Sequence, residues 1–165
     1  MPKTEENLRE AFAGESQANR KYLAFAAKAD QEGYAQAARL FRAAAEAETI
    51  HAHNHLRALK GIRSTRENLE EAIAGELHEF KEMYPAMIEA AKAEDNKEAL
   101  RSFDYANAVE EFHHKLYEEA MANLGSAGEA YSYYVCPLCG YTVGKEPPES
   151  CPVCGAKGKV FKKVD

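Results

Sequence analysis

A chain of 165 residues, 45% of them hydrophobic, is long enough for one core and a small appendage. Its formal net charge of −6 gives no electrostatic footprint for nucleic acid or anionic lipid, so neither is expected as a partner. The opening "MPKTEENLREAF" has no basic stretch followed by an apolar one, and apolar residues never run on for the roughly eighteen that a membrane span needs; a soluble cytoplasmic protein is expected.

Apolar residues recur at helical spacing in four stretches, roughly 4–29, 33–60, 66–93 and 96–124. Gly33, Gly61 and the run Glu94-Asp95-Asn96 punctuate them, and Pro85 is expected to kink the third. Four helices of about 25 residues suit a four-helix bundle. After "NLGSAGEA" the composition changes to Gly, Cys and β-leaning Tyr, Val and Phe, which sets a helical domain over 1–127 and a small second domain over 131–165.

Each predicted helix carries acids on its apolar stripe. In the first, Glu15 lies among Leu8, Ala11, Phe12, Tyr22 and Ala26. In the second, Glu48 and His51 share the stripe of Leu40, Phe41, Ala44 and Leu59, with His55 one turn further and His53 facing away. The third places Glu76 among Leu69, Ala72, Phe80, Met83 and Met87, with Glu79 at the edge and His78 on the far side. In the fourth, "NAVEEFHHKLY" offers two overlapping Glu-x-x-His pairs; Glu110 and His113 fall on the arc of Val109, Phe112 and Leu116, while Glu111 faces water and His114 sits at the edge.

Burying several carboxylates together costs several kcal/mol apiece unless cations compensate, and no Lys or Arg occupies these stripes. Two metal ions would supply the charge. A Glu from each of two helices and a Glu-x-x-His from each of the other two is the ligand set of di-iron carboxylate bundles. Some positions keep two readings: Glu79 is a rim acid or a ligand of one redox state, and His55 is a satisfied bundle histidine or a support for a ligand. Tyr22 and Tyr84 are core aromatics or phenols that donate to a bound oxygen species near the metals.

The tail repeats Cys-Pro-x-Cys-Gly, giving Cys136, Cys139, Cys151 and Cys154. Four thiolates at this spacing make a tetrahedral site for iron or zinc, and the glycine after each second cysteine permits a tight turn that aims N–H groups at sulfur. Beside a di-iron bundle an electron-transferring iron is favoured. A zinc knuckle that only folds the appendage is the alternative.

In order along the chain, "FAGESQANRKY", "ETIHAHNH", "AGELHEFKEMYP", "VEEFHH" and the paired Cys-Pro-x-Cys-Gly resemble the rubrerythrin family. The resemblance implies a mainly α protein: a ferritin-like four-helix bundle followed by a small rubredoxin-like domain with a four-cysteine metal site. It implies that Glu15, Glu48, Glu76, Glu79, Glu110 and His113 hold two irons, with His51 a ligand that one iron exchanges for Glu79, and that the four cysteines hold a third iron. It further implies reduction of hydrogen peroxide to water with electrons from an NAD(P)H-dependent reductase or rubredoxin. The alternative function is ferroxidase-type iron handling with a structural or regulatory four-cysteine site.

In the ferritin-like bundle so implied, the second and third helices run parallel, yet "KGIRST" between them spans at most roughly 20 Å. The return required is nearer 30 Å at about 1.5 Å per residue. A homodimer is therefore expected, domain-swapped so that each site draws Glu15, Glu48 and His51 from one chain and Glu76, Glu79, Glu110 and His113 from its mate; the alternative is a simple up-down topology with an intrachain site.

Overall fold

The computed structural model describes residues 2–126 and 128–165; Met1 and Ala127, the outer limits of the expected helical domain, lie outside the described residues. Helices α1 (Lys3–Gln31) and α2 (Ala35–Ala58) are followed by α3 (Thr65–His78), a π-helical turn (Glu79–Met83), α4 (Tyr84–Ala93) and α5 (Lys97–Ala122). Strands β1 (Tyr133–Val135), β2 (Thr142–Gly144) and β3 (Lys162–Val164) form an antiparallel sheet in the order β2-β1-β3, with a 3-10 turn at Gly158–Val160. The chain divides into two compact units, Met1–Arg63 and Ser64–Asp165.

The first unit is a helical hairpin. Gly33, at φ +83°, ends α1 in the left-handed conformation that glycine adopts without penalty, and the Tyr34 N–H closes the turn on the Ala29 carbonyl. The seam is built of small side chains: Ala26 and Ala29 of α1 meet Ala38, Ala45 and Ala52 of α2, which recur every seven residues. The buried Asn19 amide donates to the Ala45 carbonyl at 2.7 Å and to Thr49 Oγ1 at 2.8 Å, so its polarity is satisfied within the seam. Leu40, expected on the buried stripe, is 68% exposed. It stands two positions from Ala38, about 200° round the helix, and the close alanine seam turns it outward.

The second unit opens with a capping box. Ser64 accepts from the Glu67 N–H, and the Ser64 N–H donates to the Glu67 carboxylate at 3.1 Å. Helix α3 packs on α5, where the ring of His114 donates Nδ1–H to the Ile73 carbonyl at 3.1 Å, the carbonyl being able only to accept. The predicted third helix is thus two helices joined by the π-helical turn, which lies upstream of Pro85. One extra residue in a turn advances everything after it by one position. Met87, expected beside Glu76, accordingly faces outward, and its neighbour Ile88 is buried with Ala91.

The small sheet is seated on α5 of the same unit. Tyr141 meets the Phe112 ring edge to face at 4.8 Å, and Val109, 2% exposed, lies under Gly140. Among the described residues no helix is long and apolar enough to cross a membrane.

Candidate metal centres

Each unit gathers a carboxylate from its first helix and a Glu-x-x-His from its last. In the hairpin, Glu48 and His51 lie one turn apart on α2, with Oε2 2.9 Å from Nδ1, and Glu15 of α1 joins them. In the second unit, Glu110 Oε2 lies 2.7 Å from His113 Nδ1 on α5, and Glu76 Oε1 of α3 lies 3.8 Å from the same nitrogen. The ligand atoms of each triad lie within 4.8 Å of one another. A metal ion with bonds of about 2.1 Å sets opposite ligands about 4.2 Å apart, so each cluster has the span of one coordination sphere.

The electrostatics of the second triad call for a cation. Burial and the opposing Glu110 carboxylate push Glu76 up to about 7, with the nearby His113 pulling the other way. His113 is raised, first by its hydrogen bond to Glu110 and against its own burial. Glu79 stands outside the triad, at the start of the π-helical turn, yet burial and the Glu110 charge raise it too. The Tyr84 phenol is raised by burial and then by Glu110, Glu79 and Glu76, which puts it in the field of the same acids. Tyr22 instead belongs to an aromatic group, its ring 6.4 Å from Phe25 and 6.2 Å from Phe41. Tyr84 also touches an aromatic ring, that of Phe103 at 6.3 Å.

The four cysteines form a third cluster, built from two matching turns. Cys136 N–H donates to the Tyr141 carbonyl and Cys151 N–H to the Ala156 carbonyl; Gly140 and Gly155 close the turns on the Cys136 and Cys151 carbonyls. Both glycines have φ near +80°, which a residue with a Cβ adopts only with strain (φ +87° and +75°). Cys136 and Cys154 sulfurs lie 3.6 Å apart, and those of Cys139 and Cys151 3.5 Å. Bonds of about 2.3 Å to a tetrahedral centre require about 3.8 Å between sulfurs, so the donor set fits iron or zinc with little movement.

Sulfur charge is prepared for as well. Burial alone would raise the Cys136 thiol, but the N–H groups of Leu138 and Cys139 and the adjacent sulfurs draw it down to about 7. Cys139 and Cys154 are held up, chiefly by burial, as four crowded thiols cannot all ionise without a metal. Cys136 and Cys151 are buried, whereas Cys139 and Cys154 are only partly covered.

Two residues at these centres escaped the sequence pattern. His114 anchors α5 to α3, although its place at the edge of the polar face hid that role. Thr142, on β2, lies 3.0 Å from His113 Nε2. Nothing in the sequence marks it, because the contact joins residues 29 positions apart.

A rubrerythrin family model matches residues 6–121, and a model described as "Rubrerythrin, rubredoxin-like domain" matches residues 134–162. Rubrerythrin-2 of Clostridium acetobutylicum is 38% identical over 96% of this chain and 95% of its own length. Rubrerythrin of Porphyromonas gingivalis is 39% identical over 97% of this chain and 89% of its own. Among solved structures, nigerythrin in its fully reduced, all-ferrous state superposes with a TM-score of 0.61 at 35% identity, over 98% of this chain and 86% of that one.

Proposed function

Since the chain belongs to the rubrerythrin family, whose members are iron proteins of oxidative-stress defence, we propose that it is a non-haem di-iron peroxidase that reduces hydrogen peroxide to water in the cytoplasm. Its electrons come from an NAD(P)H-dependent reductase or rubredoxin by way of the four-cysteine centre. The observation that carries this reading is the pairing, in one chain, of two Glu/Glu-His triads with a four-cysteine knuckle.

Glu15, Glu48, His51, Glu76, Glu110 and His113 would hold the two irons, with Glu79 and His51 alternating as ligands, and the four cysteines would hold the third. The iron pair would supply the two electrons that, with two protons, turn one peroxide into two waters. The chain's own groups manage those protons. Tyr84, whose phenol burial and the surrounding carboxylates hold protonated, would be the donor beside the metals. The helical domain of 1–127 performs the chemistry and the tail of 131–165 restores the electrons.

The working form in this reading is a domain-swapped homodimer. Only Leu59–Ser64 separates α2 from α3, at most about 20 Å of chain. Returning alongside the helices from the level of His51 to that of Glu76 requires about 27 Å. Exposed Leu23, Phe25, Leu40 and Ile50 on α1 and α2 supply apolar surface for a mate.

The test is anaerobic. Reduced, iron-loaded protein mixed with peroxide should oxidise all three ferrous irons of each chain, consuming about three peroxides per two chains, without releasing oxygen. Peroxide left untouched there, while added ferrous iron is oxidised and retained in a parallel aerated sample, would replace this reading with the iron-handling one.

A further inference from the structure

His113 presents its two ring nitrogens to different parts of the second unit. Nδ1 faces Glu110 and Glu76; Nε2 lies 3.0 Å from Thr142 Oγ1 on β2. The Thr142 hydroxyl also lies 3.0 Å from the carbonyl oxygen of Gly140, the residue that follows Cys139, and that carbonyl is a hydrogen-bond partner of His113 as well. A hydroxyl has one proton and a carbonyl has none to give. The Thr142 proton therefore points to Gly140, and the oxygen turns a lone pair toward the ring. Both neighbours of Nε2 are acceptors, so Nε2 must be the donor. Nδ1 donates its own proton to Glu110 Oε2 at 2.7 Å; with Nε2 keeping its proton, that Nδ1 proton is the one a metal ion would displace.

This geometry does not depend on the hydrogen bonds alone. The Tyr141 ring, between Gly140 and Thr142 in sequence, is fixed edge to face on Phe112, next to His113 on α5. Val109, one turn before His113, packs under Gly140. Apolar contact thus seats the cysteine turn, and the hydroxyl is delivered to the ring by a surface already in place.

We propose that Thr142 is a positioning residue of the bundle's metal centre: its hydroxyl, oriented by the Gly140 carbonyl, holds His113 in the Nε2–H form and reserves Nδ1 for the metal. A histidine that ligates a metal through one nitrogen commonly donates the other N–H to a neighbouring acceptor, which fixes the ring and its tautomer. Here that acceptor comes from the cysteine-bearing tail. The turn that binds one metal thereby sets the ligand of another. The inference rests on the reading that His113 binds metal through Nδ1.

The experiment is nitrogen-15 NMR of the His113 ring in full-length protein loaded with zinc, which is diamagnetic. Wild type should show the proton on Nε2, slow to exchange with solvent. In Thr142→Val the Gly140 carbonyl is the only acceptor left, and exchange should quicken about tenfold, the effect of losing one neutral hydrogen bond. Thr142→Ser should restore the slow rate, with the Phe112–Tyr141 contact unchanged in both variants as the check that the turn keeps its seat. A proton on Nδ1 in the zinc-loaded wild type, or a Val variant within twofold of the wild-type rate, overturns the proposal. If instead the Val variant lost the ring contact, the proposal would stand or fall on the wild-type tautomer and on the Ser variant. A wild type that shows the Nε2–H signature but leaves peroxide untouched would defeat the peroxidase reading and leave the role of Thr142 intact.

Discussion

The carboxyl groups of Glu76 on α3 and Glu110 on α5 oppose each other across the helix pair, and burial together with that opposition pushes Glu76 from 4.5 up to about 7. A carboxyl raised by folding binds its proton more tightly folded than unfolded, so stability is lost as pH rises through that window. His113, also raised, acts in the same sense, because the stability its charged ring contributes fades above its folded value. Metal-free protein should therefore unfold at lower urea concentration as pH rises from about 5 to about 8, by roughly 1–2 kcal/mol once solvent screening is allowed for. Glu76→Gln should flatten that slope; an equally steep slope in the variant would mean that other groups titrate.

Replacing Cys151 by Ser removes a buried sulfur from the four-cysteine cluster. Reductase-driven peroxide turnover should be abolished. A single oxidation of the pre-reduced bundle by peroxide should survive, since none of its acids or histidines is touched. Steady-state assay and rapid mixing separate the two, and unchanged steady-state turnover would sink the division of labour between bundle and tail.

Asn19→Ala should destabilise the α1–α2 hairpin. The amide holds the Ala45 carbonyl and Thr49 Oγ1, and its loss costs about 1–3 kcal/mol in a buried seam. Thr49 Oγ1 still donates to the Ala45 carbonyl at 3.1 Å, which limits the damage. Urea titration with far-UV circular dichroism reads the change directly.

Gly140→Ala separates backbone strain from steric conflict. A Cβ there would meet Val109 Cγ1 at 3.7 Å, an ordinary contact, while φ of +87° is strained for any residue with a Cβ. The expected cost is about 1–2 kcal/mol, concentrated in the tail. Hydrogen exchange should quicken at β1 and β2 more than in α1 and α2; uniform quickening would argue against a local origin.

Much of the site was written in helical phase. A spacing of three places Glu on its histidine's face in both Glu-x-x-His pairs, and the apolar stripes put Glu15 and Glu76 beside them. The tail was legible because four cysteines with following glycines leave few alternatives. What escaped had physical causes. An alanine seam buries little bulk, so the larger Leu40 drew the stripe of α2 to itself. A π-helical turn has no strong compositional mark, and the stripe counted through it slipped by one, from Met87 to Ile88. Thr142 acts through a fold-level contact that spacing cannot register.

The two helix pairs have nearly the same ground plan. From Glu15, α1 continues 16 residues, a three-residue link follows, and Glu48 is the fourteenth residue of α2; from Glu76 the run is 17 residues, again a three-residue link, and Glu110 is the fourteenth residue of α5. The single surplus residue falls in the stretch that contains the π-helical turn. Where the second half has Glu79, three beyond its first acid, the first half has Ala18. One residue added at the π-helical turn accounts for the whole difference in spacing between the two pairs. In the proposed reading, the near-symmetry of the two triads ends at the place where an extra carboxylate would give one metal a ligand that the other lacks.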